Sequence, residues 1–180
     1  MLKRRILLLV VISVIIIGLD QWTKAWSISA LKDQAPISYL GGHVLLTYAE
    51  NTGAWGSMGS NLSDQWRFWI LTVLPFVFLG GLTWYTLTSN ELKPYMVVCY
   101  SLVISGGMGN LIDRAVHGYV VDFLWMGLPG SWFSTNIFNI ADVSIMAGVI
   151  SLFVLHFIFE RSTSAKPQTE TNSEQSQSKA

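Results

Sequence analysis

Charged side chains are scarce in this 180-residue chain, because only 12% of its residues are Asp, Glu, Lys or Arg. Hydrophobic residues make up 51% of the chain, and its mean hydropathy is +0.44. A soluble domain normally carries about 25% charged residues. The basic residues form no stripe, which argues against nucleic-acid binding. We therefore expect an integral membrane protein.

Cysteine is also nearly absent, since Cys99 is the only one, and this excludes a disulfide framework within the chain. The sequence contains neither a Gly-x-Ser-x-Gly elbow nor a His-Glu-x-x-His pair. Its three histidines, His43, His117 and His156, are scattered. We therefore expect neither a serine hydrolase nor a metal site, and no cofactor.

Long apolar runs predict four membrane spans, because about 20 residues of helix cross the hydrocarbon layer. The first run resembles a signal peptide, but it continues into polar residues without an Ala-x-Ala site, so we expect it to remain uncleaved. Residues 1–160 should form one domain, and the polar residues 161–180 a disordered cytoplasmic tail. The predicted spans are residues 6–28, 66–87, 95–112 and 138–159.

The segments between the spans predict some structure outside the membrane. Pro36 and Gly41 interrupt the chain after the first span, and β-prone pieces follow at 37–39 and 44–48. A second loop covers residues 115–135. The predicted fold class is an all-α membrane protein with four transmembrane helices and a small extracytoplasmic β segment and loop on its outer face.

An even number of spans places both termini on one side, and a modest excess of Lys and Arg favours the cytoplasm for that side. Polar side chains from separate parts of the chain then gather at the outer leaflet. Ionisable groups near lipid are costly and usually functional. These residues are Asp20, Asn51, Asn110, Asp113, Arg114, Asp122, Asn139 and Asp142.

Carboxylates are the remaining candidates for catalysis. Two aspartates close together in a dry site share one proton, so one can activate water while the other polarises a peptide carbonyl. Asp122 and Asp142 suit this pairing best, although aspartates at span ends also cap helices.

Three further positions have alternative interpretations. Asp20 and Lys24 are spaced i,i+4, and they form either an interfacial ion pair or a brace for a polar site. Asp113, next to Arg114, is either a structural ion-pair partner or helix cap, or a member of the functional site. Asn51 is either a turn residue or a contact to a peptide substrate.

Five ordered segments resemble the motifs of the lipoprotein signal peptidases, the type II signal peptidases of bacteria. The resemblance extends over about residues 6–160. Gly56 departs from the pattern, because a bulkier residue often stands there, and this concerns the shape of the surface loop. The segments are Asp20-Gln21-Trp22-Thr23-Lys24, Asn51-Thr52-Gly53-Ala54-Trp55, Gly106-Gly107-Met108-Gly109-Asn110-Leu111-Ile112-Asp113-Arg114, Val120-Val121-Asp122-Phe123 and Phe138-Asn139-Ile140-Ala141-Asp142.

The resemblance implies an aspartic endopeptidase of the bacterial inner membrane. Such an enzyme removes the signal peptide from diacylglyceryl-modified prolipoproteins, just before the lipidated cysteine, and is inhibited by the cyclic peptide globomycin. The resemblance assigns catalysis to Asp122 and Asp142, substrate binding to Asn51, Asn110, Arg114 and Asn139, and support of the site to Asp20, Lys24 and Asp113. It implies no metal, contact with membrane lipids, and a monomer.

Two other functional classes would fit a membrane protein with polar groups. A small transporter or channel subunit would place its ionisable residues near the middle of the membrane, often in repeated halves. A non-catalytic assembly factor would tolerate the loss of either Asp122 or Asp142. The chain shows no internal repeat, and its carboxylates cluster towards one face.

Overall fold

The computed structural model describes residues 2–54, 58–59, 61–131 and 133–164, with side chains up to Ile158. Gly56 and residues 165–180 lie outside the described residues. The expectations for the loop at Gly56 and for most of the tail therefore stay predictions. The elements are α1 (Leu2–Leu31), β1 (Ile37–Tyr39), a 3-10 turn (Leu40–Gly42), β2 (Val44–Asn51), α2 (Asp64–Phe68), a π-helical turn (Trp69–Val73), α3 (Leu74–Thr88), α4 (Pro94–His117), β3 (Val120–Met126) and α5 (Ile140–Ser164).

Four helices are long and apolar enough to cross a membrane, which confirms the predicted architecture: Leu2–Leu31, Asp64–Thr88, Pro94–His117 and Ile140–Ile158. The second of them is continuous from α2 through the π-helical turn into α3. Together they make the chain a multi-pass membrane protein.

The helix boundaries differ from the predicted spans. α1 and α4 extend further, and α4 continues to His117 instead of ending near residue 112. α5 begins at Ile140, not at 138, because the backbone of Phe138 pairs with Leu124 of β3. α5 also continues to Ser164, so the first residues of the predicted tail are helical.

α4 lies at the centre of the bundle and packs against α1, α3 and α5. Glycines permit this packing, because a Cβ atom on Gly106 would lie only 2.4 Å from the Ala141 carbonyl oxygen of α5. A Cβ atom on Gly109 would lie 2.7 Å from Asp20 Oδ2 of α1. Small residues allow helices in lipid to approach closely, which compensates for the missing hydrophobic drive between them.

A three-stranded antiparallel sheet with the order β1-β2-β3 covers one end of the bundle. The β segment predicted from the sequence is thus confirmed, and its third strand arises from the second predicted loop. Gly118 ends α4 in a left-handed conformation with φ +81°, and its N–H donates to the Arg114 carbonyl at 3.0 Å. This tight turn directs the chain into β3, where Asp122 lies opposite Ala49.

Arg5 closes the opposite end of the bundle. Its guanidinium is buried and donates to the carbonyls of Thr86 at 3.3 Å and Leu92 at 3.4 Å, and also to that of Ser89. These carbonyls belong to the end of α3 and the connection to α4, so one side chain of α1 satisfies backbone acceptors that would otherwise be unpaired near the apolar bundle.

Candidate active site

The polar side chains identified from the sequence meet beneath the sheet, where α1 and α4 approach their C-terminal ends and α5 begins. Strand β2 contributes Asn51 and strand β3 contributes Asp122 to the same place. All nine predicted site residues take part in one connected set of polar contacts at this end of the bundle.

Asp122 is buried, with 3% of its surface exposed. Its carboxylate accepts two amide N–H bonds, from Asn51 Nδ2 to Oδ2 at 2.9 Å and from Asn139 Nδ2 to Oδ1 at 2.7 Å. Burial disfavours the charged form and raises the pKa of Asp122 to about 7. The negative charge of Asp142 acts in the same direction, while the two amide donors oppose it. Asp122 therefore retains a proton at pH values where an ordinary aspartate is ionised.

Asp142 stands in the first turn of α5 and forms a reciprocal cap with Asn139. The Asn139 backbone N–H donates to Asp142 Oδ2 at 3.2 Å, and the Asp142 backbone N–H donates to Asn139 Oδ1 at 3.0 Å. This is the capping-box arrangement, in which the residue before the helix and the third helical residue satisfy each other. The partial positive charge of the helix N-terminus also favours an anion here.

Asn139 and Asn110 connect the two carboxyl groups. Asn139 contacts Asp122 through its side-chain nitrogen and Asp142 through its backbone nitrogen. Asn110 Nδ2 donates to Asp142 Oδ1 at 2.9 Å, and Asn110 Oδ1 accepts from Asn139 Nδ2 at 3.1 Å. Asn110 lies within α4 and Asn139 caps α5, and the packing of these two helices restricts how the two acids can move relative to each other.

A buried ion cluster lies directly behind this pair. Lys24 Nζ contacts Asp20 Oδ2 at 2.7 Å and Asp113 Oδ2 at 3.0 Å, and it donates to Asn110 Oδ1 at 3.0 Å. The three charged side chains are between 0% and 3% exposed. The Lys24 ammonium can only donate, so its contact fixes the oxygen of the Asn110 amide towards α1 and the nitrogen towards Asp142.

The two aspartates of this cluster also bind backbone N–H groups of the segments that carry the site. Asp20 Oδ1 accepts from the Ala141 N–H at 2.9 Å, and Asp113 Oδ2 accepts from the Val121 N–H at 3.0 Å. Ala141 and Val121 each immediately precede one of the paired aspartates, Asp142 and Asp122. The ion cluster therefore positions both segments that carry the paired aspartates, strand β3 and the start of α5.

The structure shows which contacts Asp20 and Asp113 make, while their roles in the site stay predictions. The i,i+4 contact of Asp20 with Lys24 exists, but it is buried within the polar cluster and is not an interfacial ion pair. Asp113 pairs with Lys24 of another helix, not with its neighbour Arg114.

Asn51 forms the turn that was one of its two alternatives, while its contact to a substrate stays a prediction. Its Oδ1 accepts the Gly53 N–H at 3.1 Å, which forms a turn, and its Nδ2 binds Asp122. Arg114 Nη2 donates to the Gly53 carbonyl at 2.9 Å, and its charge interacts with both Asp142 and Asp122. Arg114 and Asn51 thus hold the same turn beside the paired aspartates.

Gln21 is a site residue to which sequence reasoning assigned no role. Its Nε2 donates to Asp113 Oδ1 at 2.9 Å and to Asp20 Oδ2 at 3.2 Å, so it joins the two buried carboxylates. Its place between Asp20 and Lys24 in an otherwise apolar span was the available signal. Within the ranges that the structure describes, no group of three His, Cys, Asp or Glu side chains could hold a metal ion.

Comparisons with known proteins agree with this geometry. The family model described as signal peptidase (SPase) II matches residues 12–159. A lipoprotein signal peptidase of Xanthomonas euvesicatoria is 36% identical over 164 residues, which cover 91% of this chain and 92% of the relative. One of Xylella fastidiosa is 36% identical over 150 residues, or 83% and 87% of the two chains.

A solved structure described as a bacterial membrane enzyme is similar in fold. It is 28% identical, has a TM-score of 0.69, and the match covers 91% of this chain and 93% of that one. Because the family model spans most of the chain and relatives above 30% identity are matched over nearly their whole length, this chain belongs to the signal peptidase II family of peptidases.

Proposed function

We propose that this chain is an aspartic endopeptidase that removes the signal peptide from diacylglyceryl-modified prolipoproteins, just before the lipidated cysteine. The observation that supports this best is that Asn139 binds both Asp122 and Asp142, through its side chain and its backbone. Two carboxyl groups held together in this way, at the end of a membrane bundle, can hydrolyse a peptide whose lipid anchor remains in the bilayer. The names of the relatives support the substrate class.

The two acids have different roles because their surroundings differ. Asp142 is the general base, since the helix N-terminus and the Asn110 amide stabilise its ionised form. Asp122 is the general acid, since burial raises its pKa to about 7. The proton belongs to the coupled pair, and it resides mainly on Asp122.

The reaction needs only water and the two carboxyl groups. Asp142 takes a proton from a water molecule whose oxygen attacks the scissile carbonyl carbon, while Asp122 gives its proton to the carbonyl oxygen. The tetrahedral species then collapses: the protonated Asp142 donates to the leaving amide nitrogen, and Asp122 takes back a proton from a hydroxyl group. The C–N bond breaks, and both aspartates return to their starting states.

The amides and the guanidinium around the pair bind the substrate. Asn51 and Asn139 already donate to Asp122, and Asn110 donates to Asp142, so a bound peptide can exchange bonds with the same groups. Arg114 orients the turn at Gly53, on which the substrate would rest. The cluster of Asp20, Lys24 and Asp113 supports this arrangement from behind.

The remaining expectations concern the setting of the enzyme. The protein acts as a monomer in the bacterial inner membrane, with both termini in the cytoplasm and the site near the outer leaflet. No cofactor enters the proposed reaction. Globomycin binds in the same cleft and should inhibit cleavage.

The test compares Asp122→Asn and Asp142→Asn with the wild type in detergent, on a lipidated prolipoprotein. Asp64→Asn is the matched control, because the Asp64 side chain is 97% exposed. Each variant of the pair should lose at least about 100-fold in rate, as expected for a general acid or base, and the control should not. Cleavage at the wild-type rate by either folded variant would contradict the mechanism and would favour an assembly factor.

A further inference from the structure

A polar cavity of about 210 Å³ lies between the start of the second membrane helix and the C-terminal end of α4. Its charged lining residues are Arg67 and Asp64 from α2 and Arg114 from α4, and Thr52 and Thr72 also line it. The two guanidinium groups outnumber the single Asp64 carboxylate, so the cavity carries an excess of positive charge that favours an anion.

Arg67 is incompletely paired by the protein. Its Nη2 lies 3.0 Å from Asp64 Oδ1 and donates to the Leu62 carbonyl at 3.2 Å. The Asp64 side chain is 97% exposed, so water and salt weaken this pair. Among the residues that the structure describes, the buried Arg67 Nε has no hydrogen-bond partner. Buried donors are rarely left unpaired, so the Arg67 guanidinium retains a donor that none of the described residues satisfies.

An apolar groove of about 350 Å³ lies beside the cavity and shares two lining residues with it, Phe68 and Thr72. Its other lining residues come from the π-helical turn, α3 and α4, and they are Val73, Phe76, Met108, Leu111, Ile112 and Ala115. The stretch of α4 from Met108 to Ala115 is about 10 Å long. The groove therefore suits the upper part of an acyl chain.

The groove faces lipid at interfacial depth. Phe68 is 54% exposed and Phe76 is 63% exposed, as for side chains that contact a bilayer. Trp66 and Trp69 are also exposed at the polar end of this helix, where tryptophans mark the membrane interface. The π-helical turn Trp69–Val73 lies between cavity and groove, and such turns are frequent at functional sites.

The polar cavity lies beside the apolar groove, as the phosphate of a phospholipid lies beside its acyl chains. We propose that the cavity and the groove form a phospholipid site, in which Arg67 and Arg114 bind the phosphate and the groove holds one acyl chain. Charge complementarity favours this occupant, since the cavity offers two guanidinium groups against one carboxylate, and the groove offers only apolar surface and one threonine hydroxyl.

This site is separate from the paired aspartates but connected to them. Met108 and Ile112 are each two positions from Asn110 on α4, about 200° around the helix, so they face away from the aspartates. Arg114 belongs to both places, because it lines the cavity and donates to the Gly53 carbonyl. A bound phosphate would thus contact Arg114 beside the turn at Gly53, since Thr52 of that turn also lines the cavity.

Binding is tested without cleavage, so its failure is distinguishable from failure of the proposed peptidase activity. The purified protein in neutral detergent is titrated with dioctanoylphosphatidylglycerol, with dioctanoylglycerol, which lacks the phosphate, and with inorganic phosphate, which lacks the chains. The readout is tryptophan fluorescence. We expect saturable binding of the phospholipid, at least tenfold tighter than either comparison probe.

Arg67→Gln should weaken phospholipid binding about tenfold, as expected for a lost charge-assisted hydrogen bond. Thr72→Phe, which fills the groove, should weaken it as well. Arg4→Gln is the matched control, because it removes one exposed positive charge from α1 and should change nothing. If Arg67→Gln does not fold, Arg67→Lys replaces it, and a loss of about threefold is expected because the guanidinium fork is gone.

Three results would overturn the proposal. Equal binding of dioctanoylglycerol would show a groove for neutral lipid only. Equal binding of inorganic phosphate would show an adventitious anion site. Unchanged phospholipid binding by a folded Arg67 variant would show that the guanidinium does not bind the phosphate.

Discussion

Replacing Lys24 by methionine tests how the buried ion cluster supports the site. The substitution keeps an apolar stem of similar length but removes the ammonium, which contacts Asp20, Asp113 and Asn110 at 2.7–3.0 Å. Asp20 is 0% exposed and Asp113 is 2% exposed, so both carboxylates would remain buried without their cation. Water cannot reach them to compensate for the loss.

The expected cost follows from this geometry. Removing one partner of a buried ion pair destabilises a protein by about 3–5 kcal/mol, because it leaves an uncompensated charge. For a chain of this size, about 2–4 °C of melting temperature corresponds to each kcal/mol. We therefore expect Lys24→Met to lower the melting temperature by about 6–20 °C. Lys32→Met is the control: Lys32 pairs with Glu50 while both are about 40% exposed, so its loss should cost less than about 1 kcal/mol.

Cys99 provides the assay. It is the only cysteine in the chain and is 3% exposed, so a thiol-reactive fluorogenic dye labels it only as the bundle opens. Melting curves of the two variants and the wild type are recorded in the same detergent. A triple variant that also carries Asp20→Asn and Asp113→Asn should recover part of the loss, because no buried charge then remains unpaired.

The result that would refute this reasoning is a melting temperature for Lys24→Met within about 2 °C of that for Lys32→Met. A triple variant that is less stable than Lys24→Met would also contradict it. Activity gives a second readout, since Lys24 fixes the Asn110 amide that donates to Asp142. At a temperature where Lys24→Met is still folded, its kcat should fall by more than tenfold, and Lys32→Met should keep the wild-type kcat.

Two further predictions follow from the same contacts. Asp122 must hold a proton to act as the acid, and burial raises its pKa to about 7. We therefore expect kcat/KM to fall as the pH rises through about 7. A profile that stays flat to pH 10 would contradict this. Because the pKa of Asp122 is higher in the folded than in the unfolded chain, the free energy of unfolding should decline as the pH rises from about 4 to 7. Melting curves of Asp122→Asn should lack that decline. Gly106→Val should separate α4 from α5 and abolish cleavage, because its Cβ would clash with the Ala141 carbonyl oxygen. The control Gly18→Val should cleave normally, because a Cβ atom there has no neighbour within 4 Å.

Much of the fold could be predicted because its signals are local. An apolar run of about 20 residues identifies a membrane helix by itself, and four such runs were found in the right places. The β segment was predicted from β-prone residues near Pro36 and Gly41, and strands β1 and β2 confirm it. Strand β3 was missed, because its residues pair with β2 across a long stretch of chain and local propensity does not report such pairing.

The sequence predicted which residues belong to the candidate site but not which of them contact each other. The sequence identified Asp20, Lys24 and Asp113 as support, yet the partner of Asp113 was undecided until the structure placed Lys24 3.0 Å away. Gln21 received no role, because a glutamine in a span has no signature that distinguishes a bridge from a filler. The roles of Asp122 and Asp142 in catalysis remain predictions.

The sequence alone determined the class of the protein, because hydropathy and the order of five polar motifs can be read without knowing any contact between distant residues. Only the tertiary structure decided how those motifs act together. Asn139 bridges Asp122 and Asp142 because the turn after α4 brings β3 back to the first turn of α5. Which carboxyl group is buried and which one caps a helix depends on packing between distant segments. This difference in environment is the basis on which we propose different roles for the two aspartates.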